Sequence, residues 1–260
     1  MDTAQVIVLA LVQGILEFLP VSSSGHLILV PALAGWDDQG LAFDIAVHFG
    51  TLLAVIAYFR RDLLEMVTSF FSPRCFESAL SWAVIWGSVP LAVVGWLMAE
   101  QVAGDLRSPM IIAVTTGVFG LLLWVADYFT NGKRSERDLH WISAVLIGFG
   151  QALALVPGVS RSGITMTVAM ALGLSREGAA RFSFLLAIPA LGISAGWQFI
   201  QLLGDPEPVP WGTLAVAVLV SAATAFLTIR LFLGLIRRMG MLVFALYRLI
   251  LAGLIFYIFI

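Results

Sequence analysis

The chain has 260 residues, of which 60% are hydrophobic and only 12% are charged. Soluble domains carry about 25% charged residues, so this composition excludes an ordinary soluble globular protein. The sequence also lacks a basic stripe with interleaved aromatic residues, which makes nucleic acid an unexpected partner.

The chain opens with an apolar segment, residues 3–33, that is interrupted by Glu17, a proline and a run of serines. A second interrupted segment lies at 139–174, where Arg161 is the single charged side chain. Irregular backbone survives at membrane depth only where it is buried in protein or lines a water-filled cavity. Both segments are therefore predicted to be re-entrant hairpins, each made of two short helices that enter the membrane and turn back.

Six other segments are predicted to cross the membrane completely. Each is close to the ~20 apolar residues that the hydrocarbon thickness requires. Two of them carry a charge, Asp44 in the first and Arg248 in the last. The predicted spans cover residues 42–59, 78–99, 108–126, 182–204, 208–229 and 239–260. The predicted fold is an all-α polytopic membrane protein, with residues 1–260 forming one membrane domain.

Basic residues are concentrated in alternate loops. They follow the first, third and fifth spans, at Arg60, Arg61, Arg74, Lys133, Arg134, Arg137, Arg237 and Arg238. The loops near 100–108 and 205–210 are acidic or poor in lysine and arginine. By the positive-inside rule the basic loops are cytoplasmic. The other two loops, the segment before residue 42 and the C-terminus are then outside.

The two interrupted segments resemble each other. Gln13–Gly25 matches Gln151–Gly163 at an offset of 138, apart from a one-residue drift at the proline. Each runs from a glutamine through an apolar turn and a proline to a serine-rich loop that closes on glycine. Because the first segment enters from outside and the second from inside, the chain is predicted to contain inverted repeats, residues about 3–128 and about 139–260.

Inverted repeats with broken helices predict a cavity near the middle of the membrane. The second half-helix of each hairpin would point free N–H groups and the positive end of its dipole into that cavity. Helix N-termini of this kind bind anions, and phosphates in particular. The same architecture serves alternating-access transporters. The pattern therefore leaves two classes open, an enzyme acting on a phosphate group and a carrier.

The first loop combines several chemically active side chains. Gln13 and Glu17 are four residues apart, so on a helix they share one face. A charge inside a membrane segment marks a functional site by default. Arg161 meets the same criterion in the second loop, and its planar guanidinium suits bidentate phosphate binding. The residues predicted to be catalytic are Glu17, Ser23, His26 and Arg161.

Other polar residues admit simpler explanations. Serines in membrane helices commonly bond to the helix backbone, and the glycines of both loops could serve as turn formers. Four charged or titratable residues are explained equally well by capping and anchoring of helices; these are Asp44, His48, Glu177 and Arg181.

Two stretches, QGILEFLPVSSSGH at 13–26 and PGVSRSGIT at 157–165, resemble the signature motifs of the undecaprenyl-pyrophosphate phosphatase family of the bacitracin-resistance type. One family motif is Glu or Gln, three residues, Glu; the other is Pro-Gly-x-Ser-Arg-Ser-x-x-Thr. Gln13 occupies the first motif position, so a mechanism with two carboxylates at this motif would lack one.

The resemblance implies an enzyme that converts undecaprenyl pyrophosphate to undecaprenyl phosphate and phosphate. That reaction recycles the carrier lipid of peptidoglycan synthesis and confers bacitracin resistance. The resemblance further implies a bacterial inner membrane and an active site facing outside. With the loop chemistry, it assigns phosphate binding to Gln13, Ser22, Ser24, Gly25, Gly158, Ser160, Ser162 and Thr165.

A divalent cation, Mg²⁺ or Ca²⁺, is also implied, with Glu17 and Gln13 as its ligands. The nucleophile stays open between Ser23, His26 and water. Ser23 could be activated by His26 or Glu17, and Glu17 could activate water directly. The expected partners are a polyprenyl diphosphate lipid and the bilayer, and a homo-oligomer is left open. The alternative function is a flippase or transporter for the polyprenyl phosphate lipid.

Overall fold

The computed structural model describes residues 1–37, 39–71, 76–98, 108–130, 132–203 and 210–259. Cys75, Arg74 and most of the two outer loops predicted near 100–108 and 205–210 lie outside these ranges. Within the described ranges the chain forms eleven α-helices.

The helices differ clearly in length. They are α1 (Thr3–Leu16), α2 (Ser23–Ala34), α3 (Leu41–Tyr58), α4 (Arg60–Thr68), α5 (Phe76–Leu97), α6 (Pro109–Phe129), α7 (Trp141–Ala152), α8 (Arg161–Ala171), α9 (Arg176–Leu203), α10 (Trp211–Leu235) and α11 (Leu242–Phe259). Six of the described helices, namely α3, α5, α6, α9, α10 and α11, are long and apolar enough to cross a membrane. The predicted all-α polytopic fold is confirmed.

The fourth span begins at Arg176 rather than at residue 182 as predicted. The sequence suggested a later start because Arg181 lies just before the apolar run. In the structure the Arg181 guanidinium donates to Asp62 Oδ1 and Glu136 Oε1, each at 2.6 Å. Because these carboxylates neutralise the charge, the helix continues through it to the end predicted to be cytoplasmic.

The two interrupted segments each form a pair of short helices, as predicted. Helices α1 and α2 have 14 and 12 residues, and α7 and α8 have 12 and 11. All four are shorter than the ~20 residues that span a bilayer. Directly before α2 and α8, Ser22 and Ser160 adopt positive φ angles of 72° and 69°. A left-handed non-glycine residue costs about 1–3 kcal/mol, and here it occurs at matching positions of both hairpins.

The inverted relation between the two halves remains a prediction. If α1 corresponds to α7 and α5 to α10, the packing of α1 on α10 matches that of α7 on α5. The next helices do not match in the same way. Helix α8 packs along α9, whereas α2 makes few contacts with α3.

Close contacts at glycine hold α10 against its neighbours. A Cβ atom on Gly50 of α3 would lie 2.0 Å from Ser221 Oγ and 2.5 Å from the carbonyl oxygen of Val218. A Cβ on Gly14 of α1 would lie 2.7 Å from the Ser221 carbonyl oxygen. Small residues let membrane helices approach closely and gain van der Waals contact. These contacts bring α1 and α3, which carry parts of the candidate site, against one helix.

Replacing Gly50 with alanine is expected to destabilise the protein by about 1–3 kcal/mol, the usual cost of overpacking. The Val218 carbonyl belongs to the helix backbone and cannot move aside as a side chain can. The measurement is thermal unfolding of purified protein in detergent. Gly196→Ala on α9 is the matched control, because no atom lies within 4 Å of its added Cβ. Equal melting of the two variants would contradict the close α3–α10 contact.

Candidate active site

The turns of the two hairpins meet in the interior of the helix bundle. We call residues 17–22 the first loop and residues 153–160 the second loop. Ser162, at the start of α8, donates from Oγ to the carbonyl oxygen of Leu19 at 2.8 Å. The spans that contact this region do so from their interiors, through His48 of α3, Thr116 of α6 and Ser183 of α9. Each of these three residues lies at least seven residues from either end of its helix, so the meeting point is inside the bundle and not at its surface.

The Glu17 carboxylate is the centre of the polar contacts. Its Oε2 accepts hydrogen bonds from Gln13 Nε2 and from Ser23 Oγ, each at 2.9 Å. Its Oε1 accepts from Arg161 Nη2 at 3.2 Å, and His48 Nε2 lies 3.9 Å from Oε2. Glu17 is only 8% exposed. A hydroxyl that donates to a buried carboxylate has the geometry of a nucleophile beside its base.

Arg161 connects the second hairpin to this carboxylate. Its Nη1 donates to the carbonyl oxygen of Ser183 at 3.2 Å, and the guanidinium lies 5.9 Å from the centre of the Phe18 ring. Within the described residues, Arg161 Nε and Gln13 Oε1 are buried without a hydrogen-bond partner. Leaving such an atom unsatisfied costs about 1–3 kcal/mol. Each atom therefore lacks a hydrogen bond that a ligand reaching the site could supply.

Both ring nitrogens of His26 are engaged. Nδ1 lies 2.8 Å from the carbonyl oxygen of Ser22, which can only accept, so Nδ1 carries the proton. Nε2 is hydrogen-bonded to the hydroxyl of Tyr247, whose ring stacks on the imidazole at 5.6 Å between centroids. In the neutral ring Nε2 accepts from that hydroxyl. Of the two bases considered for Ser23, this geometry favours Glu17.

The last serine of each loop is paired in the same way with a serine in the first turn of the helix that follows. Ser22 and Ser24 have hydroxyl oxygens 3.3 Å apart, and so do Ser160 and Ser162. Ser22 makes no capping bond with its side chain, which leaves the first N–H groups of α2 for another acceptor. Ser160 does cap α8, because its Oγ accepts from the backbone N–H of Gly163 at 3.2 Å.

Three residues assigned to phosphate binding have protein partners or packing constraints of their own. The buried hydroxyl of Thr165 donates to the Arg161 carbonyl oxygen at 2.8 Å and lies 2.7 Å from the Ser183 hydroxyl. The buried Ser162 hydroxyl is occupied by the first loop. Gly158 has a φ of 91°, and an added Cβ would lie 2.2 Å from Thr115 Oγ1, so the backbone requires glycine there. A fourth assigned residue, Gly25, is buried in the first turn of α2 but has no such constraint, because an added Cβ would lie 3.5 Å from its nearest atom, Ser22 Oγ.

Sequence reasoning missed three residues that reach this region. His48 was explained as a cap or anchor, and Tyr247 gave no signal of its own. Arg248 is completely buried and bonds to the second loop, at Gly158 and Val159. The rule that selected Glu17 and Arg161, that an ionisable residue within a membrane segment is functional by default, applies equally to Arg248.

The donors at the meeting point fit a cation that is shared with a substrate. In the described residues no group of three or more His, Cys, Asp or Glu side chains could hold a metal ion. Protein-bound Mg²⁺ often has one or two carboxylates and completes its shell with water and substrate phosphates. Glu17 would supply one carboxylate to such a cation, and Oε1 of Gln13, which has no hydrogen-bond partner, would supply a second oxygen.

Comparison with known proteins points to one family. Residues 6–254 match the family described as Bacitracin resistance protein BacA. The chain is 50% identical to an undecaprenyl-diphosphatase of Nitrosococcus oceani, over 100% of both chains. It is also 50% identical to undecaprenyl-diphosphatase 2 of Stutzerimonas stutzeri, over 100% of this chain and 99% of that protein. An undecaprenyl-diphosphatase of Campylobacter concisus is 47% identical over 100% of both chains.

Proposed function

The chain belongs to the bacitracin resistance protein BacA family, and on that premise we propose that it is a membrane-embedded undecaprenyl-diphosphatase. It hydrolyses undecaprenyl diphosphate to undecaprenyl phosphate and phosphate, which recycles the carrier lipid of peptidoglycan synthesis and confers bacitracin resistance. Two hydrogen bonds on one side chain carry the proposal: the Ser23 hydroxyl donates to the buried Glu17 carboxylate, whose other oxygen accepts from Arg161.

The site binds the diphosphate through positive partial and full charges. The N-terminal N–H groups of α2 point toward the first loop, and the Ser22 side chain does not cap them. Arg161 contributes its free Nε–H beside the carboxylate. Phosphoryl transfer needs little covalent chemistry from a protein and depends on positioning and charge stabilisation.

For the chemical step, Ser23 Oγ attacks the terminal phosphorus and its proton passes to Glu17. The P–O bond to the bridging oxygen breaks, and undecaprenyl phosphate leaves with that oxygen and its electron pair. Glu17 passes this proton to the departing undecaprenyl phosphate. It then takes a proton from water, whose oxygen attacks the phosphorus of the phosphoserine. The P–Oγ bond breaks, phosphate leaves, and Glu17 returns the proton to Ser23 Oγ. The alternative is direct attack by water on the diphosphate with Glu17 as the base, which needs no phosphoserine.

A divalent cation, Mg²⁺ or Ca²⁺, is proposed as the cofactor. Glu17 and the Oε1 atom of Gln13 would hold it together with the diphosphate oxygens. Bound there, it would neutralise part of the negative charge of the substrate. Because Gln13 rather than a carboxylate stands one turn before Glu17, the cation would bind together with the substrate rather than before it.

Release of phosphate from undecaprenyl diphosphate by purified protein in detergent tests the function. We expect hydrolysis that stops on addition of a chelator and returns with Mg²⁺ or Ca²⁺. If a chelator leaves hydrolysis unchanged, the proposed cation cofactor is wrong but the proposed diphosphatase activity stands. Binding and transbilayer movement of the lipid without any hydrolysis would favour the transporter class, whose broken helices this fold shares.

We further propose that the protein resides in a bacterial inner membrane with its active site open to the periplasm. The arginine and lysine distribution supports this orientation. In a Cys75→Ser background, single cysteines at positions 104 and 206 are expected to react with an impermeant thiol reagent in intact cells. A cysteine at position 135 should react only after the membrane is broken. Labelling of position 135 in intact cells would reverse the orientation.

A further inference from the structure

Arg248 of α11 makes an unusual set of contacts. Its side chain is completely buried in the interior of a membrane span. Nε donates to the carbonyl oxygen of Thr116 at 3.0 Å, and Nη2 donates to those of Gly158 and Val159 at 2.9 Å. Nη1 lies 3.5 Å from the carbonyl oxygen of Pro20. One guanidinium therefore contacts both loops and α6.

Burial of this guanidinium is unfavourable unless its hydrogen bonds compensate for the lost hydration. A charged side chain in the bilayer centre is unfavourable, and such residues pair with one another or with backbone carbonyls. Among the described residues, no carboxylate lies within ion-pair distance of Arg248. Its partners are backbone carbonyls: Pro20, Gly158 and Val159 belong to the two loops, and Thr116 belongs to α6. Irregular backbone at membrane depth needs protein partners of this kind. The planar guanidinium offers five donors in a fixed fork, which a lysine cannot reproduce.

The neighbouring helices leave room for this side chain at two glycines. A Cβ atom on Gly163 of α8 would lie 2.7 Å from Arg248 Nη1. A Cβ on Gly120 of α6 would lie 2.8 Å from the Cβ of Arg248. The guanidinium thus occupies a narrow passage between α6 and α8. Contacts on several sides fix the position of the guanidinium, so its hydrogen bonds fix the positions of both loops in turn.

We propose that Arg248 is a positioning residue that fixes the first loop relative to the second. In this role it keeps Ser23 and Glu17 of the first hairpin opposite Arg161 of the second. Its charge, which no described carboxylate neutralises, also makes the centre of the bundle more favourable for an anionic diphosphate. The inference rests on the proposed diphosphatase function, because that reaction is the one that needs both loops at once.

The kinetic test is Arg248→Lys, which keeps the charge but loses the fork. Misplacement of reacting groups by about 1 Å costs on the order of 10²-fold in rate. We therefore expect kcat to fall by ~10- to ~10²-fold while KM changes by less than about threefold, the pattern of a lost transition-state interaction. Arg248→Gln, which removes the charge, should raise KM as well. Arg230→Lys on the exposed side of α10 is the matched control and should leave both constants unchanged.

A second measurement reports on the loops without any reaction. Amide hydrogen exchange of Arg248→Lys should be faster in residues 17–22 and 153–160 and unchanged in α3 and α10. If the wild type shows no hydrolysis but the loops still lose protection, the proposed function fails and the positioning role stands. Wild-type kcat in Arg248→Lys would overturn the positioning role. Equal loss of protection in every helix, or failure to fold, would also overturn it, because Arg248 would then stabilise the whole fold.

Discussion

Glu17→Gln is expected to lower phosphate release by ~10²- to ~10⁴-fold, the range for loss of a positioned general base. Glutamine is nearly isosteric with glutamate, so packing of the first loop is retained. The change removes the negative charge that faces Arg161 and the basicity that accepts the Ser23 proton. The measurement is the rate of phosphate release from undecaprenyl diphosphate at saturating substrate.

Binding of the same lipid diphosphate should weaken far less in Glu17→Gln and could become tighter. The reason is electrostatic: the substitution removes a negative charge next to an anionic ligand. Glu65→Gln on α4 is the matched control, because Glu65 is exposed and lies outside both hairpins. Wild-type hydrolysis by folded Glu17→Gln protein would remove Glu17 from the chemistry under either the serine or the water mechanism.

Arg161→Lys is expected to lower turnover by at least ~10²-fold, comparable to removal of one preorganised transition-state donor. The guanidinium bonds to Glu17 and to the Ser183 carbonyl at once, and its Nε–H remains for the phosphate. A lysine ammonium keeps the charge but cannot hold these three directions in one plane. The measurement is kcat for the lipid diphosphate, with the exposed Arg60→Lys as the control.

Near-normal turnover in folded Arg161→Lys protein would show that a point charge suffices at this position. The fixed fork of the guanidinium, which bonds to Glu17 and Ser183 while Nε–H faces the site, would then have no catalytic role. A rise in KM without a change in kcat would instead assign Arg161 to substrate binding alone, since such interactions are equally strong in the ground state and the transition state.

Segment-level features of this protein could be predicted from the sequence. The length of each apolar run predicts whether it spans the bilayer, because hydrocarbon thickness fixes the number of residues required. A proline followed by serines and glycine predicts where a membrane helix breaks. The pairing of Gln13 with Glu17 also follows from sequence, because residues four apart meet on a helix wherever that helix packs.

Contacts between distant segments were decided only by the tertiary structure. Nothing local distinguishes Tyr247 as the partner of His26, since the two residues meet through the packing of α2 near α11. The same packing occupies His26 and favours Glu17 as the base for Ser23. Arg181 continues α9 instead of ending it, because carboxylates from α4 and from the turn at 136–138 neutralise it.

Two glycines show why contacts between helices cannot be predicted from a local stretch of sequence. In sequence, Gly50 and Gly196 are equivalent, since glycine is common in membrane helices. In the structure Gly50 touches α10 and Gly196 faces open space. A segment's own residues determine how it meets lipid, because that interaction depends on the composition of one helix. Shape complementarity between segments far apart in the chain determines which helices pack together. It also determines which backbone carbonyls bond to a buried charge, and only the folded protein specifies these contacts.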